Sequence, residues 1–135
     1  MSLTDEERTI IVNLEIEKSL KFISEVPSLM NLKFWDTALN RLYYSIFHAA
    51  SALLINDGNP VKTHKGISVV LGQQYVLKGI LEPEDVKFYT RLQNLRERGD
   101  YNCAYNADEE LITQLYPQAS SFITKIKSIL IEKEN

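Results

Sequence analysis

Residues 33–58 read KFWDTALNRLYYSIFHAASALLINDG, and this stretch fixes the class of the fold. Trp35, Ala38, Leu39, Leu42, Ile46, Ala49, Ala50 and Leu53 step by three and four, so they lie along one stripe of an α-helix. No two-residue alternation competes with that period, and Asn56-Asp57-Gly58 supplies turn chemistry at the end. The stripe is long enough to be the central helix of a bundle.

The same signal extends outward in both directions. Thr4 with Glu7 has the form of a capping box, and Ile11, Leu14, Ile16, Leu20, Phe22 and Ile23 recur at mostly helical intervals. A first helix is predicted from about Asp5 to Glu25, stopped by Pro27. Beyond Gly58-Asn59-Pro60, Thr63 can cap a third helix carrying Ile67, Val70, Leu71, Val76 and Leu77, ending near Gly79. Pro83, followed by Glu84 and Asp85, starts a fourth helix, where negative charge meets the positive end of the dipole; Val86, Tyr89, Leu92, Leu95 and Arg96 follow, and Gly99 lies near its end. Asn106 is the expected cap of a last helix reaching about Glu132, kinked or divided at Pro117. An all-α antiparallel bundle of about five helices follows.

Composition agrees with a single domain spanning residues 1–135, with nothing built on Met1-Ser2-Leu3. With 44% hydrophobic and 24% charged residues the chain can bury a core unaided, and 5 glycines with 4 prolines leave little material for a sandwich of tight turns. One cysteine, Cys103, and two histidines give neither a disulfide nor a Cys/His zinc site, so no metal and no cofactor is expected and a reducing, cytoplasmic setting is. The acidic start and the lack of a long apolar run lead to the expectation of a chain neither exported nor embedded in a membrane. A net charge of -3 argues against nonspecific coating of nucleic acid, which leaves a local basic groove as the route to RNA.

Three polar clusters are candidates for chemistry. Arg41, Tyr44, Ser45 and His48 share one face of the second helix, where a cation, a phenol and an imidazole can act on one ligand. On the fourth helix Gln93, Arg96 and Asp100 share a face, with Arg98 turned away and Tyr101 following. Arg96 can clamp a phosphate, Tyr101 can donate to a leaving oxygen and Asp100 can fix either partner. Thr63-His64-Lys65-Gly66 offers a hydroxyl, an imidazole, an ammonium and free amides to an anion. Each cluster also has a plain structural reading: a solvated arginine, a satisfied histidine, an Arg96–Asp100 ion pair of a few tenths of a kcal/mol, an ordinary helix cap. Phosphate loops, metal-spaced ligand sets and nucleophile elbows are absent from the sequence.

Three ordered blocks, Arg41-Leu42-Tyr43-Tyr44-Ser45-Ile46-Phe47-His48-Ala49-Ala50, Lys62-Thr63-His64-Lys65-Gly66 and Leu95-Arg96-Glu97-Arg98-Gly99-Asp100-Tyr101, together resemble small prokaryotic HEPN-domain proteins. The resemblance implies a helical bundle that forms a homodimer and that in many members is paired with a minimal nucleotidyltransferase as toxin and antitoxin. Catalytic members resemble metal-independent ribonucleases, whose motif is an arginine followed, after about four to six residues, by a histidine. Arg96 matches the arginine, and Tyr101 stands where the histidine would be. A tyrosine with an ordinary pKa near 10 exchanges protons poorly at neutral pH. The expectation is therefore a noncatalytic or weakly active module that binds a nucleotide or RNA segment through Arg96, Tyr101, Arg41, Tyr44, His48, His64 and Lys65. The alternatives are a ribonuclease toxin in which His48 or His64 approaches Arg96, and a helical adaptor without a ligand. A stripe of Phe88, Leu92 and Leu95 on the fourth helix offers a dimer contact or ordinary core.

Overall fold

The computed structural model describes residues 3–59 and 63–134, within which all regular structure is helical. Five α-helices follow in order: α1 (Asp5–Asn31), α2 (Trp35–Asn56), α3 (His64–Val70), α4 (Pro83–Tyr101) and α5 (Glu109–Glu134). A π-helical turn over Leu71–Val76 continues directly from α3. Lys62, part of the second sequence block, lies outside the described residues.

α2 is the central helix. Ala38, Leu39, Leu42, Ile46, Ala49, Ala50 and Leu53 of the predicted stripe are all buried, and the core built on them draws on every other helix. α1 runs antiparallel to α2, since Glu15 meets His48, Ser19 meets Ser45 and Glu25 meets Arg41. α5 runs parallel to α2: Asp36 at the start of α2 accepts from the amide of Ala107, and Asp57 just past its end pairs with Lys133. α4 lies antiparallel to α5, bridged by Asp85–Lys125 and by Phe88 against Phe122.

The capping box of α1 forms as read: the Thr4 hydroxyl accepts from the Glu7 amide, and the Glu7 carboxylate accepts from the Thr4 amide, which holds the Glu7 pKa below its usual value. α1 then departs from expectation. It passes through Pro27 to Asn31, because Pro27 sits on the exposed side while Val26, Leu29 and Met30 go on packing inward. Its buried stripe is Val12, Ile16, Ser19, Ile23, Val26 and Met30, whereas Leu14 and Leu20 point outward. Ser19 broke the apolar pattern and displaced the reading by part of a turn.

Three further boundaries differ. α3 does not continue as one helix to Leu77: it widens into the π turn, which buries both Leu71 and Tyr75 and leaves Leu77 exposed. Gly79, at φ 74°, closes that segment, and the amide of Ile80 returns to the carbonyl of Tyr75. Asp108, not Asn106, caps α5, its carboxylate accepting from the amide of Leu111. α5 is one continuous helix with Pro117 inside it, on the exposed face. On α4, Leu92 and Leu95 are buried within the protomer's own core, and Phe88 packs on Phe122, so the stripe offered above as a dimer contact is largely interior here.

Ser19 also sets how closely α1 approaches α2. Fully buried, it donates its hydroxyl to the Ser45 carbonyl at 2.6 Å, and Ser45 donates to Leu42 at 2.7 Å. Ser19→Ala is expected to cost about 1 kcal/mol through the lost hydrogen bond. Ser19→Leu is expected to cost a further 1–3 kcal/mol or so by overpacking. Urea unfolding should show a lower midpoint at unchanged slope in both proteins.

Candidate functional site

The polar face of α2 divides three ways once the helices are packed. Arg41 and His48 turn toward α1: the Arg41 Nε lies 3.0 Å from Glu25, with its guanidinium 4.8 Å from the centre of the Phe22 ring, and His48 Nδ1 lies 2.7 Å from Glu15. Phe22 sits between them, 5.6 Å from the His48 ring. Ser45 enters the α1–α2 interface. Tyr44 turns the other way, toward α4.

There it meets Arg96, whose Nη1 donates to the Tyr44 hydroxyl at 2.8 Å and lies 3.3 Å from the Asp100 carboxylate. The guanidinium lies 5.1 Å from the ring centre of Tyr43 and 5.5 Å from that of Tyr44, close enough for both rings to act on the cation. The side chain is only 15% exposed, and its Nε is buried without a hydrogen-bond partner among the described residues. Burying a guanidinium is costly unless its donors are met. Tyr44, Asp100 and the two rings meet part of that demand, leaving an incompletely satisfied cation at a partly open position.

His64 enters the same cluster from the start of α3. Its Nδ1 is 2.6 Å from the Tyr43 hydroxyl, its ring stacks on Phe47 at 4.5 Å and 17°, and Tyr44 meets it edge-on at 6.0 Å. Arg96 and His64 thus share the same two tyrosines. Burial lowers the His64 pKa below 6.5, the Arg96 charge lowers it further, Glu97 opposes, and His48 adds a small push downward. Burial pushes the Tyr43 phenol up to about 12, so it is a donor at any ordinary pH.

The remaining sequence candidates lie outside this cluster. Tyr101 is 85% exposed and forms no side-chain hydrogen bond with the described residues. Lys65 is exposed on α3. The start of α3 offers little to an anion, because Thr63 already accepts from the Gly66 amide through its hydroxyl and from the Ile67 amide through its carbonyl. Asp100 holds Arg96 as read. Arg41 and His48 are engaged with the carboxylates of α1, away from Arg96.

Sequence reasoning missed Tyr43, Phe47 and Tyr89. Tyr43 and Tyr89 are fully buried, their rings 6.2 Å apart, and the available signal was that a phenol on a buried face needs a partner for its hydroxyl. A groove of about 500 Å³ between α4 and α5 is one further opening. It carries Glu84 and Asp85, and its lysine, Lys125, is bound to Asp85, so an anion finds no free cation there. Among the described residues no group of His, Cys, Asp and Glu could hold a metal ion, and no helix is long and apolar enough to cross a membrane.

Tyr43 and Tyr44 from the first block, His64 from the second and Arg96 from the third therefore meet at one junction of α2, α3 and α4. The HEPN domain family matches residues 12–129, nearly the whole of this bundle. The chain belongs to the HEPN family. Among curated HEPN relatives, the protein named "Putative toxin MJ0605" of Methanocaldococcus jannaschii is 32% identical over 117 residues, covering 87% of each chain. "Putative toxin MJ0142" of the same organism is 29% identical over 118 residues, 87% of this chain and 80% of the relative. A UPF0332 protein of Thermotoga maritima is 26% identical over 124 residues, 92% of this chain and 94% of the relative.

Two measurements check this HEPN site. Tyr44→Phe removes the acceptor for Arg96 Nη1 and is expected to cost about 1.5–3 kcal/mol, less if water replaces the hydroxyl, read from the urea midpoint. For pH, the folded state holds His64 below its unfolded value of 6.5, so the unfolded chain binds more protons in that range. The stability contribution is full above about pH 6.5 and is lost as pH falls through the folded pKa; His64→Gln should remove that part of the slope below about pH 6.5.

Proposed function

We propose that this HEPN domain is a toxin-like module that binds a nucleotide or RNA segment at the junction of α2, α3 and α4, with little or no catalytic turnover. The observation that carries the reading is Arg96: a 15% exposed guanidinium set between Tyr43 and Tyr44, steered by Asp100, with a buried Nε still unpartnered. A planar cation held rigidly suits a phosphate, and the neighbouring imidazole adds a second polar group to the same site. Tyr101, in the position of the family's histidine, is a weak proton carrier, which is why binding rather than turnover is favoured. The toxin names of two relatives support the toxin-like part of the reading. A homodimer and a minimal nucleotidyltransferase partner belong to the same proposal, on the strength of the family resemblance.

A second reading, a metal-independent endoribonuclease, is favoured by one observation: His64 joins Arg96 through Tyr43 and Tyr44. In that reading Arg96 stabilises charge on the phosphorus-bound oxygens and an imidazole handles the proton.

The discriminating assay incubates the purified protein with mixed RNA in EDTA, beside Arg96→Ala. Binding without efficient cleavage is expected, with affinity falling about ten- to a hundredfold in Arg96→Ala, the effect of losing charge-assisted hydrogen bonds. Cleavage that persists in chelator and vanishes in Arg96→Ala would establish the ribonuclease instead. RNA binding equal in both proteins would sink the Arg96 site.

A further inference from the structure

His64 hydrogen-bonds the phenol of Tyr43, whose ring lies 6.2 Å from that of a second buried phenol, Tyr89. Tyr43 lies between His64 and Tyr89. Its hydroxyl meets His64 Nδ1 at 2.6 Å, and Tyr89 carries a buried hydroxyl without a completed hydrogen bond among the described residues. Tyr89 is fully buried, and its phenol is held protonated first by burial and then by the neighbouring Tyr43.

The proton inventory fixes the direction of this chain in the ligand-free protein. If His64 Nδ1 carried the proton, it would donate to Tyr43, Tyr43 would donate to Tyr89, and the Tyr89 proton would be buried with no acceptor. A stranded buried donor is costly. In the opposite direction Tyr43 donates to His64 Nδ1 and the His64 Nε2 carries hydrogen. The Tyr43 proton then has an acceptor, and the imidazole hydrogen lies on the nitrogen turned away from that phenol. In this tautomer Nε2 has no lone pair with which to take a proton from a substrate.

An anion changes the balance. Protonated His64 carries hydrogen on both nitrogens; Nδ1–H then donates to Tyr43, whose own hydrogen swings toward the Tyr89 oxygen, the added proton comes from solvent, and the cost of the unaccepted Tyr89 hydrogen has to be offset by the bound anion. The charged groups that face His64 are Arg96 and Glu97 from α4 and His48 from α2, with the phenols of Tyr43 and Tyr44. Arg96 holds off the second positive charge while the site is empty, and a bound anion offsets that repulsion.

We propose that His64 is the second anion-binding group of the Arg96 site, that it takes up one proton as a phosphate or sulfate group enters, and that Tyr43 reverses its hydrogen bond from His64 toward Tyr89 to allow it. The proposal deepens the nucleotide-binding reading, from which it takes the Arg96 site; it adds the ligand chemistry, a tetrahedral oxyanion, and a dependence on pH. It also separates binding from catalysis, since the same phenol that makes His64 a donor denies it the role of base.

Nuclear magnetic resonance of the labelled full chain tests it with sodium sulfate, which does not itself titrate near neutral pH. The chain holds 2 histidines, His48 and His64, so the resonances of each can be followed. Above its titration, His64 should show the Nε2–H tautomer by nitrogen shift, and Tyr43→Phe should lose that preference. Added sulfate should raise the His64 titration, with sulfate affinity gaining up to about tenfold per pH unit lowered between the free and bound values. Arg96→Gln, which keeps a polar group in the cluster, should abolish the shift.

A His64 titration that sulfate does not move, or an Nδ1–H tautomer in the wild-type protein, would overturn the proposal. Anisotropy of a labelled single-stranded RNA, run in parallel, keeps the two readings apart. RNA binding that depends on Arg96 while His64 ignores sulfate would leave the function and remove this mechanism. Sulfate coupling without RNA binding would do the reverse.

Discussion

The burial of one guanidinium organises the polar half of this bundle. Arg96 projects from α4 toward α2, where its charge must be compensated within a few ångströms. The compensation comes from unlike sources: a carboxylate one turn along its own helix, a phenol oxygen on α2, and the faces of two aromatic rings. None alone would hold a half-buried cation. The twin tyrosines of α2 are thus constrained from both sides, Tyr43 by its place in the core and Tyr44 by the cation, and His64 is fixed by the stacking surface of Phe47 and the hydroxyl of Tyr43. A change in any one of them alters the solvation of the rest.

A second polar seam, between α1 and α2, works differently. Glu15 with His48 and Glu25 with Arg41 pair across the helix interface around Phe22, and the serines beneath them keep the two backbones close. Here Arg41 lies against one carboxylate and the His48 imidazole against another, so the seam reads as the fastening of the α1–α2 hairpin. The Arg96 cluster differs in leaving a buried guanidinium Nε without a hydrogen-bond partner among the described residues. A third cluster beyond the end of α2, where Asp57 accepts from both Tyr75 and Lys133, is balanced as well and ties the π turn and α5 to the central helix.

Most of the helices were legible, for a local reason. Periodicity, capping residues and turn residues act over a few positions, so the stripe of α2, the Thr4 capping box, Thr63, Pro83 and Gly79 could be read from neighbours alone. The errors arose where tertiary packing overrode a local rule. Pro27 stayed inside α1 because its ring faces outward while the residues around it pack inward. Ser19 entered the core because a carbonyl on α2 accepts its hydroxyl. Asp108 took the cap from Asn106, and α3 widened to bury Leu71 and Tyr75 together.

For the candidate site, the sequence by itself determined the residue types and their order: the three blocks, Arg96 with Asp100 on one face, a tyrosine where the family carries a histidine, and a chain that belongs among HEPN domains. Tertiary structure alone decided which of those residues meet. Arg41 and His48 share a helical face with Tyr44, yet the carboxylates of α1 claim them, while His64, from a separate block, comes to rest against the same two tyrosines as Arg96. The physical reason is that spacing along a helix sets only the direction in which a side chain leaves the axis. Whether it ends beside a carboxylate, a phenol or a guanidinium depends on what the opposing helix brings to that position.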